Sequence, residues 1–272
     1  MRELPDKFLT AVIAVQPLPG SPDYDGDDEN IVDHALSDLK HYDDAGVDSV
    51  FLENDYDLPF VREEDLDHKG IALMTRIAKE VRRRFAKPIG IQMLEAANLT
   101  SLRIAREADL DFIRAEGYVY AHIGGAGLFH GNAGKIMRLR KELGAQHIKV
   151  FADVKKKHAA HALTADLDIT DEIKQTVMFK ADGVIVTSKF TGLSPDQNDL
   201  RKAKKVTKKP VVIGSGMTKE NIQDFLPLAD GFIVGSTFRT NGSFLADLDP
   251  ERLQEFMDVF LKARKKVENV LA

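Results

Sequence analysis

The chain has 272 residues, with 38 Lys and Arg against 43 Asp and Glu for a net charge of −5, 43% hydrophobic residues and no cysteine. That length fits one (β/α)8 barrel or two small domains, and the mild acidity argues against a general nucleic-acid binder, which needs a basic face. Without cysteine, disulfides, thiolate nucleophiles and Cys-ligated metal sites are excluded.

Taken in chain order, FLTAVIAVQ (8–16) is the first predicted strand, and a long loop, 17–29, leads to a helix over 30–45. SVFLEN (49–54) precedes a helix over 68–86, and PIGIQML (88–94) precedes one over 97–107. FIRAEG (112–117) is followed by a second long loop, 118–132, and a helix over 133–143. That loop carries four glycines and reads as a lid. IKVFADV (148–154) goes with a helix over 170–180, GVIVTS (183–188) with 196–206, and PVVIGSG (210–216) with 218–226. GFIVGST (231–237) precedes the last helix, 250–269, which Asp249-Pro250 opens.

Eight short β-branched or aromatic runs alternating with eight amphipathic segments predict a parallel sheet with helical crossovers. A closed (β/α)8 TIM barrel is the first reading, and an open doubly wound sheet is the runner-up. No Gly- or Ser-rich linker divides the chain, so residues 1–272 read as a single domain. Arg82–Arg84 and the basic run 201–209 fall on amphipathic segments and read as solvated helix faces. The first residues, MRELPDKFLT, show no secretory pattern, and no run approaches the roughly 18 apolar residues of a membrane helix. The expected location is cytoplasmic, with no nucleic-acid partner and no integral membrane segment.

Alternate residues of a strand face opposite sides. Setting the apolar parity against the helices sends Gln16, Glu53, Gln92, Arg114, Glu116, Asp153 and Lys155 inward near the strand ends. An internal salt-bridge network is one reading of these charges. A ligand site is the other, because barrel mouths collect catalytic groups. Two glycine turns add a phosphate signal: Gly214-Ser215-Gly216 after the seventh run and Gly235-Ser236 after the eighth. Both expose backbone N–H groups where barrels often hold phosphate, with Arg239 supplying positive charge.

His158 directly follows the fifth run and suits acid/base work near neutral pH. The spacing of His158 and His161 reads as structural or solvent-facing rather than metal-binding. Asp153, Glu53, Asp57 and His158 could together hold a divalent cation, although no cofactor is required. Lys155 could form a Schiff base, against the more ordinary role of neutralising phosphate. The glycines at 124–131 do not follow the dinucleotide pattern, which discounts NAD.

Several motifs together resemble the BtpA family, named for a photosystem I biogenesis protein and including sugar-operon proteins described as nucleosidases. They include Pro17-Leu18-Pro19-Gly20-Ser21-Pro22, Glu53-Asn54 with Asp57, Asp111-Phe112-Ile113-Arg114 and Phe151-Ala152-Asp153-Val154. Lys157-His158, Val184-Ile185-Val186-Thr187, Gly214-Ser215-Gly216 and Ala229-Asp230-Gly231 complete the set, which runs nearly end to end. The resemblance implies a barrel of the ribulose-phosphate-binding type. It adds Asn54 and Thr187 to the expected ligand contacts. The chain departs from the family pattern at Ala14, where many members carry His, and at Glu95-Ala96-Ala97, where Arg-Asn-Asp is usual.

The expected function is an enzyme acting on a phosphorylated sugar or nucleoside-like small molecule. Glu53 and Asp153 would serve as acid/base groups, His158 as an auxiliary, and Arg114 and Lys157 would bind the anionic substrate. Two carboxylates favour N-glycosidic hydrolase or transferase chemistry, since a ribosyl cation needs negative charge beside it and an acid for the leaving group. Isomerase or aldolase-type lyase chemistry, a non-catalytic assembly or stability factor, and a binding-only sensor are the alternatives. A homo-oligomer is expected on general grounds alone.

Overall fold

The computed structural model describes residues 2–271. In chain order its elements are β1 (Phe8–Ala14), α1 (Asp28–Asp44), β2 (Ser49–Glu53), α2 (His68–Arg84), β3 (Ile89–Gln92), α3 (Asn98–Glu107) and β4 (Phe112–Ala115). Next come β5 (His122–Gly124), β6 (Gly127–Phe129), α4 (Ala133–Glu142), β7 (Lys149–Val154), α5 (Ile169–Met178) and β8 (Gly183–Val186). The chain ends with α6 (Gln197–Val206), β9 (Val211–Ile213), α7 (Ile222–Phe225), β10 (Gly231–Val234) and α8 (Pro250–Leu271).

Eight parallel strands close into a barrel in the order β1-β10-β9-β8-β7-β4-β3-β2, so each strand pairs with its barrel neighbours in sequence and β10 closes on β1. This is the TIM barrel that the alternation predicts. Asp side chains mark several helix starts. Asp27, Asp67 and Asp196 each accept a backbone N–H in the first turn, and Asp168 forms a capping box with Asp171. At α8, Asp249 accepts from Glu251 N at 3.1 Å and Arg252 N at 3.2 Å, with Pro250 at the first helical position.

Strand parity divides the core in two. Leu9, Ala11, Ile13, Val50, Leu52, Val150 and Ala152 pack outward under the helices. Phe8, Val12, Phe51, Phe112, Phe151, Ile185, Val212 and Ile233 fill the barrel interior. The rings meet at centroid distances of 5.9 Å for Phe51 and Phe112 and 5.5 Å for Phe112 and Phe151. Glycines on neighbouring strands make this possible. A Cβ on Gly90 would lie 2.1 Å from the Phe112 ring, one on Gly231 2.1 Å from Phe8, and one on Gly183 2.5 Å from Phe151. Each ring occupies the volume that its neighbour's missing side chain leaves, and together they make an aromatic floor below the mouth. Gly231→Ala should therefore destabilise the fold by about 1–3 kcal/mol through overpacking. Urea unfolding measures this, and Phe8→Leu in the same chain should restore part of the loss; a neutral Gly231→Ala would refute the interlock.

Two elements differ from expectation. The helix expected over 218–226 starts at Ile222 and lasts one turn, followed by a 3-10 turn over Leu226–Leu228. Pro227 ends it, because proline has no N–H to give the ladder. The long loop 118–132 contains the antiparallel hairpin β5–β6, with three residues on each side, too short for an alternating pattern to show. Two backbone bonds between Ile123 and Ala160, at 3.2 and 2.8 Å, tie this hairpin to the segment after β7.

Candidate ligand site at the barrel mouth

A cavity of about 330 Å³ opens at the C-terminal ends of the strands. That volume is at the small end of the range for ligand pockets. Its acidic and basic side carries Glu53, Asp55, Arg114, Glu116, Glu95, Lys156, Lys157 and His158. Across from these lie Gly214, Ser215, Gly216, Gly235, Ser236 and Thr237, and an apolar wall is formed by Leu58, Phe60, Leu94, Met217 and Phe244.

The register explains the floor. Glu53 is the inward residue at the end of β2, opposite Gln92 on β3. Arg114 on β4 is adjacent to Phe151 on β7, one inward step below Asp153. Arg114 is buried and grips Asp153 with two bonds, Nε to Oδ2 at 2.8 Å and Nη2 to Oδ1 at 3.0 Å, while Nη1 lies 3.9 Å from Glu53 Oε1. Both Asp153 oxygens are thus committed to a guanidinium that stays charged at any ordinary pH. Burial pushes Asp153 upward and Arg114 opposes it.

Asp55 keeps the inward parity of Glu53 two residues further on and lines the cavity that Asp153 does not reach. Burial, then the nearby Asp55 charge, pushes the Glu53 carboxyl up to about 8, against the pull of Arg114 and Lys157. Burial also raises Asp55, with Lys157 opposing. A carboxylic acid that keeps its proton at neutral pH therefore sits beside a second carboxyl group.

The turn after β7 sends three consecutive lysines to three places. Lys155 has φ +47° and His158 φ +55°, so strand alternation stops at Val154. Lys155 leaves the barrel axis, donating to Thr164 O at 3.1 Å with Glu172 at 3.9 Å. The inward position expected for it, and with it the Schiff-base reading of Lys155, is corrected by this turn. Lys156 is buried between Glu95, to which it donates, and Glu116 at 3.2 Å. Lys157 donates to Thr191 Oγ1 at 3.2 Å, and its backbone N–H donates to Thr187 Oγ1 at 3.1 Å. His158 sits at the exposed rim, its Nε2 2.9 Å from Thr191 Oγ1. Burial and the lysines at 157 and 156 lower its pKa, which favours the neutral imidazole.

Above Lys156, the β5–β6 hairpin closes one side. Ala126 N donates to Glu95 at 3.2 Å, and the Phe129 ring centroid lies 5.9 Å from Lys156 Nζ. Glu95 occupies the segment where the family pattern differs, so the departure noted in sequence falls inside the cavity wall.

Several expected contacts lie elsewhere. Asn54 faces outward and ties β2 to β3, accepting from Leu94 N at 2.7 Å and donating to Asp57 at 2.8 Å. Asp57 also accepts from Leu18 N at 2.8 Å, so it secures the loop after β1 rather than joining Glu53 and Asp153 around a cation. Among the described residues no group of three or more His, Asp or Glu side chains is placed to hold a metal ion. Gln16 lies beyond β1, its Nε2 3.4 Å from His34 Nε2, outside the cavity lining. Gln92 is buried in the interior with neither amide atom bonded. Thr187 serves the Lys157 backbone from below the lining.

Arg239 corrects the phosphate expectation in part. It is fully buried, bonded to Asp38 at 2.7 Å and near Val12 O at 3.4 Å, and does not line the cavity. Its residue number placed it near the turn, but its side chain runs back under α1. Asp38→Asn should cost about 2–4 kcal/mol in urea unfolding by stranding this guanidinium, with little change in ligand affinity. A large affinity loss with unchanged stability would reverse that assignment. The glycine turns themselves do reach the cavity. Gly216 has φ +80°, and a Cβ there would lie 2.2 Å from the Leu193 backbone, so only glycine fits. Ser215 is buried with its Oγ unbonded and lines the cavity.

The model of the BtpA family matches residues 5–262. An uncharacterized mitochondrial protein of Caenorhabditis elegans is 38% identical over 254 residues, covering 92% of this chain and 91% of its own. The photosystem I biogenesis protein BtpA of Synechocystis is 31% identical over 260 residues, covering 94% and 89%. Among solved structures, tryptophan synthase of Mycobacterium tuberculosis superposes with a TM-score of 0.61 at 13% identity, covering 95% of this chain and 92% of that one. Phosphoribosyl anthranilate isomerase of Thermus thermophilus gives 0.58 at 11% identity, covering 94% and 100%. These two likenesses show the fold. Among the described residues no helix is long and apolar enough to cross a membrane.

Proposed function

Since the chain belongs to the BtpA family, we propose that it is an enzyme that uses Glu53 as a general acid on a phosphorylated sugar or nucleoside-like compound. The observation that carries this reading is the Glu53 carboxyl, held near 8 in a cavity that also holds Asp55. A buried protonated acid beside a second carboxyl suits departure of a leaving group from an anomeric carbon, where positive charge develops. Cleavage or transfer at an N-glycosidic bond is the reaction favoured. In this assignment Asp55 takes the second-carboxylate role first expected of Asp153. Arg114, fixed by Asp153, sets the field at the floor.

Ser215 and the backbone at 214–216 and 235–236 receive the phosphate. The support is that these residues line the cavity together and that the buried Ser215 hydroxyl has no partner among the described residues. The apolar wall of Leu58, Phe60 and Phe244 would receive the uncharged part of the compound.

The test is thermal unfolding with inorganic phosphate, ribose 5-phosphate and a panel of nucleoside 5′-monophosphates, followed by chromatography for a released base. Saturation at 100 times Kd adds about 2.7 kcal/mol, a Tm rise of about 5 °C or more for a chain of this size. Absence of any shift with every phosphorylated compound would overturn the phosphate assignment. The competing reading is a non-catalytic assembly or stability factor; the Synechocystis relative is named a photosystem I biogenesis protein. That reading uses none of the groups in the cavity and predicts that Glu53→Gln leaves biological function intact.

A further inference from the structure

Lys157 differs from its two neighbours in that no ion pair holds it among the described residues, although Glu53, Asp55 and Asp153 act on it through space. Lys155 approaches Glu172, and Lys156 is held by Glu95 and Glu116. Lys157 lines the cavity, and the hydrogen bond of its Nζ runs to a neutral hydroxyl, Thr191 Oγ1. Glu53, Asp55 and Arg114 line the same cavity. The backbone around Lys157 is fixed by the bonds from Lys157 N to Thr187 Oγ1 and from His158 N to Lys189 O, at 3.1 and 3.0 Å.

We infer that Lys157 is a nucleophile that forms an imine with the carbonyl carbon of an open-chain aldose or ketose phosphate, a reaction beyond glycosidic cleavage. Burial and the Arg114 charge lower the pKa of its ammonium, which raises the share of free amine available for attack. Salt-bridged Lys156, whose pKa the two glutamates raise, lacks that share.

The chemistry closes on groups already in the cavity. The Lys157 amine lone pair attacks the carbonyl carbon, and one amine proton passes to the carbonyl oxygen to give a carbinolamine. Glu53 then gives its proton to the carbinolamine hydroxyl, which leaves as water while the nitrogen lone pair forms the C=N bond. The products are a Lys157 iminium, a Glu53 carboxylate and one water. The new positive charge lies near the new negative one, and no oxidant, reductant or metal takes part.

The inference shares the phosphate cradle with the proposed function, so the experiment separates the two. The full chain is incubated with glycolaldehyde, glycolaldehyde phosphate or ribose 5-phosphate and sodium cyanoborohydride, which reduces the iminium to a stable secondary amine. Intact-mass measurement and peptide mapping locate the adduct. The expected result is one adduct on Lys157, at least tenfold above any other lysine, absent in Lys157→Met and formed several-fold more slowly in Glu53→Gln.

Trapping by glycolaldehyde as readily as by its phosphate would uphold the imine and count against the phosphate cradle. Tm shifts by sugar phosphates without an adduct on Lys157 would overturn the imine and leave the cradle standing. Labelling spread over surface lysines would also overturn it. The wild-type peptide map decides the matter even if Lys157→Met fails to fold.

Discussion

Glu53→Gln is expected to lower kcat by about 10²–10⁴-fold on any ribosyl or sugar-phosphate compound that the wild type turns over, the range for loss of a general acid. KM should change little, because the amide keeps the size of the side chain and can still donate a hydrogen bond. The pH profile carries the sharper signature. Wild-type kcat should hold below about 8 and fall above it as Glu53 loses its proton; the Gln variant should lack that limb.

Stability moves with the same proton. The folded pKa of Glu53 is raised above its ordinary 4.5 to about 8, so the native state holds a proton that the unfolded chain releases. Its contribution is full below about 4.5 and is lost as pH rises through about 8. Urea unfolding of the ligand-free protein should weaken across that window by up to about 5 kcal/mol. Glu53→Gln should remove this slope and be the more stable protein at pH 9. An unchanged slope in the variant would place the titration on another group.

The second large effect belongs to Lys156. Its removal as Lys156→Met strands Glu95 and Glu116 in the cavity wall without a counterion. Loss of one partner from a buried ion pair costs about 3–5 kcal/mol, and urea unfolding at pH 7 should show a loss of that size. Adding Glu95→Gln should recover part of it by removing one of the two uncompensated charges. A loss under about 1 kcal/mol would mean that the glutamates take up protons or reach water freely. Ligand affinity should fall as well, since Glu95 positions the hairpin through Ala126.

The barrel was legible because period-two alternation survives in every strand. Phe51 and Glu53, Arg114 and Glu116, and Phe151 and Asp153 take the inward parity that their spacing demands. Parity also carries a signal for Asp55, two residues beyond Glu53. It failed where the backbone leaves the strand: positive φ at Lys155 rotates the next lysines off the alternation, so Lys156 and Lys157 enter the site and Lys155 departs. Arg239 and Asp153 expose a second limit. A charged side chain read alone resembles a ligand contact, whereas its partner, Asp38 or Arg114, comes from more than 35 residues away and is invisible without the fold. In the sequence Glu95 stands out only as a departure from the family pattern, and its place in the wall depends on a hairpin too short to predict.

The aromatic floor has a kinetic consequence. Rings from Phe8, Phe51, Phe112 and Phe151 fill the barrel axis below Glu53 and Arg114, so the cavity has no rear exit. Whatever enters past the hairpin and Thr191 must leave by the same opening. A reaction that splits one molecule into two would therefore release its fragments in a fixed order, the piece nearer the rim first. The fragment held deeper would act as a competitive inhibitor of the next turnover.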